Sequence, residues 1–250
     1  MRRIVLAAAV MVIAANAVRP HAASTTPVLV ELFTSEGCES CPPADDLLAR
    51  IVAAQPIEGA RVIALGEHVD YWDQLGWKDR FSSAAFTNRQ QVYTGQLRND
   101  GPYTPQLVVD GRLECVGSDA SAARKLIATA ATAAHGTASM SWNGATATVA
   151  VEALPQKATD RADILLAITE DRLVSKVTRG ENRGRTLTHV AVVRQLMTIG
   201  EAIGASATAE RPVTLAPDWN RDHLNFVAFV QQRRNGPVLA SATISLAQHP

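Results

Sequence analysis

The sequence predicts an α/β domain followed by a smaller all-β, sandwich-like domain. Three observations lead there. A β-branched apolar run leads straight into a Cys-x-x-Cys pair and then into a segment of helical spacing. Strand and helix patterns alternate up to about residue 134. Beyond residue 138 strand patterns follow one another, starting with a hairpin signal at Asn143-Gly144.

Taken in order, Pro27 to Thr34 (PVLVELFT) is apolar and β-branched, and it reads as a buried strand. Leu47, Leu48, Ile51 and Val52 recur at helical spacing, so Pro42 to Ala54 reads as an amphipathic helix. Proline is tolerated in a first helical turn, and Asp45 and Asp46 suit its electropositive end. Arg61 to His68 is a second strand. Ala84 to Leu97 is a helix capped by Ser82 or Ser83. Leu107 to Val109 and Arg112 to Val116 are strands around an Asp110-Gly111 turn, and Ser118 caps a helix running to about Ala134. Strands follow at Ala162 to Thr169, Thr186 to Arg194, His223 to Gln231 and Val238 to Ile244. Residues 25–134 and 138–250 are therefore expected as two domains.

Arg2 and Arg3, the apolar run Ile4 to Ala14 and the pattern Ala15-Asn16-Ala17 read as a signal peptide within residues 1–23. A periplasmic or secreted location is expected, with no membrane span after signal cleavage. Lys+Arg and Asp+Glu both number 24, which offers nothing for nucleic acid. Three cysteines, Cys38, Cys41 and Cys115, are too few for a disulfide framework, although an oxidising compartment lets disulfides persist.

The cysteine pair sits where a strand meets a helix. A thiolate there feels the positive helix end and attacks a disulfide, while a second cysteine one turn on closes the bond and releases the partner. Cys38 is then the exposed attacking sulfur and Cys41 the resolving one. Glu36 and Glu39 flank Cys38 and disfavour its thiolate. A structural disulfide is the competing reading. A structural zinc site is not expected, because no second cysteine pair supplies four ligands.

The order strand, Cys-x-x-Cys, helix, strand, helix, proline-led hairpin, helix is that of a thioredoxin-like domain. It places Pro105 where such domains carry a cis-proline facing the cysteines. That predicts a cis Thr104–Pro105 bond, with the Thr104 backbone open to an incoming chain. The stretches VELFTSEGCESCPPAD, HVDYWDQLGWKD, YTPQLVVDGR and GENRGRTLTHVAVVR resemble the secreted bacterial proteins of domain-of-unknown-function family 1223. The resemblance implies a thioredoxin-like fold and export, and it matches Cys38 and Cys41 to the family's cysteine pair. It implies no substrate. Cys115 is a feature of this chain.

His68 ends the second strand on the same rim as the cysteines. It is a candidate proton carrier for Cys41, a candidate third metal ligand, or a hydrogen-bonded histidine holding the loop. Tyr71, Trp72 and Trp77 read as loop packing, Asp73, Lys78, Asp79 and Arg80 as solvated loop charges, and Cys115 as inert. Glu181, Asn182, Arg183, Arg185 and His189 form a polar loop that binds a partner or braces the domain interface. The leading expectation is an exported thiol–disulfide oxidoreductase that needs no cofactor. It would act on protein thiols or disulfides of the cell envelope through Cys38, Cys41, Thr104, Pro105 and His68. The alternatives are a periplasmic copper-binding or delivery protein using Cys38, Cys41 and His68, and a binding module with a structural disulfide.

Overall fold

The computed structural model describes residues 25–157 and 159–248. The signal-peptide reading of residues 1–23 lies outside them. The first half contains strand β1 (Thr26–Thr34), helix α1 (Pro42–Ala54), β2 (Ala60–His68), α2 (Ala84–Leu97), β3 (Gln106–Val109), β4 (Leu113–Val116) and α3 (Ala120–Ala131). The second half contains β5 (Thr137–Trp142), β6 (Thr146–Glu152), β7 (Arg161–Glu170), β8 (Leu173–Lys176) and β9 (Thr186–His189). These are followed by β10 (Val192–Ile203), β11 (Ala207–Pro212), β12 (Leu224–Gln232) and β13 (Val238–Ser245).

β1 and β2 run parallel from Thr26↔Ala60 to Thr34↔His68, and β3 returns antiparallel to β1. Alternation then sorts the side chains. Val28, Val30 and Leu32 face Leu47, Leu48 and Ile51 of α1 and Ile127 of α3. Leu29, Ile63 and Leu65 face the other way, toward Phe86 of α2 and Phe229 of β12. Each such side chain stabilises the fold by roughly 1.5–3 kcal/mol when removed from water.

The composition change at residues 134–138 marks no break in the sheet. Eight strands from both halves form one sheet in the order β13-β12-β7-β10-β2-β1-β3-β4. The joint is Val192↔Gly66, a parallel bridge between β10 and β2. The Gly66 amide donates to the Ala191 carbonyl at 2.7 Å, and a Cβ on Gly66 would stand 3.2 Å from the Val190 oxygen. An unpaired β2 edge would be left open without this joint. The strand expected over Thr186 to Arg194 is accordingly split. Its first part pairs with β8 as a separate hairpin, and its second part begins the long β10. A three-stranded sheet, β11-β6-β5, covers one face of the second half through Val149, Val151, Ile164 and Val230.

Local chemistry sets the ends. Ser83 caps α2 by accepting from the Ala85 amide. Asp119, rather than Ser118, caps α3 and accepts from the Ser121 and Ala122 amides, because a carboxylate there reaches two unpaired donors. Asp110 and Gly111 both have positive φ (46° and 63°), which makes the tight β3–β4 turn.

Candidate functional site

β1 ends at Thr34, and the chain turns through Ser35-Glu36-Gly37 to Cys38. Cys41 is the N-cap of α1, and the two cysteines form a disulfide with their Cα atoms 5.4 Å apart. Cys38 was expected to be the exposed sulfur. Instead both cysteines are 0% exposed, because neighbours distant in sequence close over them. The Thr104 hydroxyl donates to Cys38 Sγ at 3.4 Å and accepts from Trp72 Nε1 at 2.8 Å. The Thr104–Pro105 bond is cis. Ser40 Oγ lies 3.4 Å from Cys38 Sγ on the other side.

The segment between β8 and β9 supplies the rest of the cover. Asn182 Nδ2 donates to the carbonyls of Glu36 (2.9 Å) and Cys38 (2.8 Å). The Glu181 carboxylate accepts from the Glu39 amide at 3.0 Å. Arg185 holds the Asn182 carbonyl oxygen at 2.8 Å. Of the two roles read for this polar loop, Glu181 and Asn182 perform the bracing one.

Beneath the disulfide lie two buried histidine–carboxylate pairs. His68 Nδ1 donates to Asp79 Oδ2 at 2.6 Å, and Asp79 also accepts from the Glu36 and Phe81 amides. His189 Nε2 lies 3.2 Å from Glu36 Oε1, and Trp77 Nε1 donates to Glu36 Oε2 at 2.8 Å. The two imidazoles meet edge to face with centroids 4.9 Å apart. Asp45 Oδ2 stands 3.8 Å from His189 Nδ1. Burial pushes the His68 pKa down, but the Asp79 charge and hydrogen bond push it up further, so it lies above the ordinary value. Burial raises both Asp79 and Glu36, but the His68 charge and hydrogen bond with the Glu36 and Phe81 amides outweigh it for Asp79, and the hydrogen bonds of His189, Ser175 and Trp77 together outweigh it for Glu36, so both lie below the ordinary range. Asp45 lies above it, because burial exceeds the pull of His189 and His68.

The sequence reading therefore missed Asp79, which is buried and organises the His68 loop rather than sitting in solvent. It also missed the pairing of Glu36 with His189. The signal available was only that both lie near segments ending at the cysteine rim. His68 is turned to Asp79. Among the described residues no group of three or more His, Cys, Asp or Glu side chains is placed to hold a metal ion, and the two cysteines of the copper trio Cys38, Cys41 and His68 are joined to each other as a disulfide. Cys115 is unpaired and partly buried. Burial, Asp119 and Glu114 push its pKa up to about 11.

Among the described residues no helix is long and apolar enough to cross a membrane. A crystal structure of a protein from Agrobacterium tumefaciens is similar, with 24% identity, TM-score 0.74, and coverage of 91% of this chain and 97% of that one. HBP35 of Porphyromonas gingivalis is also similar, with 16% identity, TM-score 0.64, and coverage of 89% and 76%. At these identities the likeness concerns the fold alone. No curated protein matches the chain. Residues 29–231 match one family model, and the chain belongs to that family, described as protein of unknown function (DUF1223).

Proposed function

We propose that this chain is an exported thiol–disulfide oxidoreductase of thioredoxin-like fold, acting on protein thiols or disulfides of the cell envelope through Cys38 and Cys41. The observation that carries the reading is the closed Cys38–Cys41 disulfide at the start of α1, with the Thr104 hydroxyl directed at Cys38. A partner thiolate attacks Cys38 Sγ, and the leaving electron pair goes to Cys41, whose thiolate rests at the positive end of α1. Donation from Thr104 stabilises negative charge on Cys38 whenever that sulfur is the thiolate. The cover formed by Asn182 and Glu181 restricts the partner to an extended segment that can displace or thread beside it.

Trapping tests this reading. With Cys41→Ser in the producing cell, the resolving step is blocked, and a mixed disulfide between Cys38 and its partner accumulates. Adducts that vanish on reduction and in Cys38→Ser support it. Cells that yield no Cys38-linked adduct overturn it.

A further inference from the structure

A cavity of about 390 Å³ opens where the first turn of α2 meets β10, and no cysteine lines it. Sites for small organic molecules span roughly 300–1,000 Å³. Its walls include Phe81 before α2, Ser83 and Phe86 at the helix start, Trp219 before β12, and the two cations Arg80 and Arg194.

The backbone of β10 puts Arg194 there. The register of β10 on β7 shifts between Val193 and Gln195, so Arg194 is the extra residue of a β-bulge. Val193 and Leu196 therefore both meet the cluster that holds Phe86, a separation of three that regular alternation forbids. A bulge re-aims a side chain at the loss of one ladder pairing. Here it brings the Arg194 guanidinium against two rings, with Cζ 5.5 Å from the Phe81 centroid and 5.3 Å from the Trp219 centroid. Glu170, itself buried, accepts from Arg194 Nη1 at 2.6 Å and from the Asn220 amide at 3.0 Å, which also fixes the turn carrying Trp219. Arg80 Cζ lies 4.5 Å from the Phe81 centroid, and Arg80 Nη2 donates to the Val174 carbonyl at 3.0 Å.

The charges around the cavity favour an anion. Glu170 is engaged as described, and Asp73 accepts from the Ser82 hydroxyl and the Asp79 amide. Asp218 stands 3.9 Å from Arg194 Nη2 and is largely exposed. Arg80 has no carboxylate partner among the described residues. The first turn of α2 carries no acid, so its positive end is uncompensated. The rings, Val193 and Leu196 add an apolar wall beside these cations.

We propose that this cavity binds a small organic carboxylate with an apolar body. The carboxylate takes N–H groups of Arg80 and Arg194, whose planar forks match its two oxygens, and the body lies against Phe81 and Trp219. The site is distinct from the cysteine pair, and its occupancy does not depend on the redox reading.

Ligand-observed NMR titrations of the full chain with its disulfide intact test this. The probes are phenylacetate, its neutral isostere phenylacetamide, and acetate. Phenylacetate is expected to bind at least about tenfold more tightly than either of the others, because one lacks the charge and the other the ring. Arg194→Gln would strand buried Glu170, so the variants are placed at exposed positions. Arg80→Gln removes a cation, and Ala85→Glu sets a carboxylate on the first turn of α2. Each should weaken phenylacetate several-fold while the thermal melt shows a folded protein. Equal affinity for phenylacetate and phenylacetamide, or for phenylacetate and acetate, overturns the proposal. So does wild-type affinity in either folded variant, or no binding of phenylacetate up to about 10 mM.

Discussion

The side-chain nitrogen of Asn182 lies 2.8 Å from the carbonyl oxygen of Cys38, although 144 residues separate them in the chain. Asn182 is fully buried, and its second bond goes to the Glu36 carbonyl. One amide from the second half thus fixes the backbone on which the first cysteine sits.

Asn182→Ala removes both bonds, strands the Glu36 carbonyl and leaves the Cys38 carbonyl with the Cys41 amide alone, so it should lower stability by about 1–3 kcal/mol. It should also open the way to Cys38. The expected outcome is a lower urea midpoint together with faster reduction by dithiothreitol. Reduction at the wild-type rate would show that Asn182 braces the segment without covering the sulfur.

Thiol labelling of the reduced protein should follow a set order. Cys38 has the Thr104 hydroxyl to stabilise its thiolate, whereas Cys115, with its pKa pushed up to about 11, holds its proton at neutral pH. Mass spectrometry after brief alkylation should find Cys38 modified first and Cys115 slowly. Early modification of Cys115 or Cys41 contradicts the assignment of the attacking sulfur.

The His68–Asp79 pair makes stability depend on pH from both sides. The raised His68 contributes stability that is complete below the ordinary value of 6.5 and is lost as pH rises through its folded value. The depressed Asp79 contributes stability that is complete above 3.8 and is lost as pH falls through its folded value. The pair's contribution is therefore full between those two ordinary values. Asp79→Asn should cost about 3–5 kcal/mol there, because it leaves His68 buried without its counter-charge. Urea titrations against pH should show the difference from wild type shrinking at alkaline pH.

Two glutamates under α2 should respond oppositely to the same change. Glu31 accepts from Arg89 Nε at 2.6 Å and from the Tyr93 hydroxyl, so Glu31→Gln removes the counter-charge of a buried guanidinium and should cost about 3–5 kcal/mol. Glu67 has no hydrogen-bond partner, and Arg89 Nε is its nearest cation at 3.4 Å. Burial first, and then Glu31, push its pKa well above the ordinary 4.5, against the pull of Arg89. A raised carboxyl costs stability as pH climbs through its folded value, so Glu67→Gln should be at least as stable as wild type at neutral pH and more so above it. Thermal melts of the two variants decide the matter, and a severe loss in Glu67→Gln would show that the Glu67 charge supports Arg89.

The sequence by itself determined the local elements and where the cysteines sit among them. The spacing of Leu47, Leu48 and Ile51 with Pro42 at the start defines α1, Ser83 marks the start of α2, and Asp110-Gly111 makes a tight turn. These are short-range matters of periodicity, capping and allowed φ, all carried by neighbouring residues. Only the tertiary structure decided that β10 lies against β2, because a strand's partner depends on which distant edge is left unpaired. It also decided that α2 buries Arg89, Gln90 and Tyr93 beside Phe86, a face too polar to be read as core from its pattern. The same holds for Asp79, Asn182 and His189. In sequence they stand in polar loops, where solvation is the ordinary state. They become the buried supports of the cysteine pair because segments far apart in the chain fold over one another and give most of the polar atoms that they remove from water a partner.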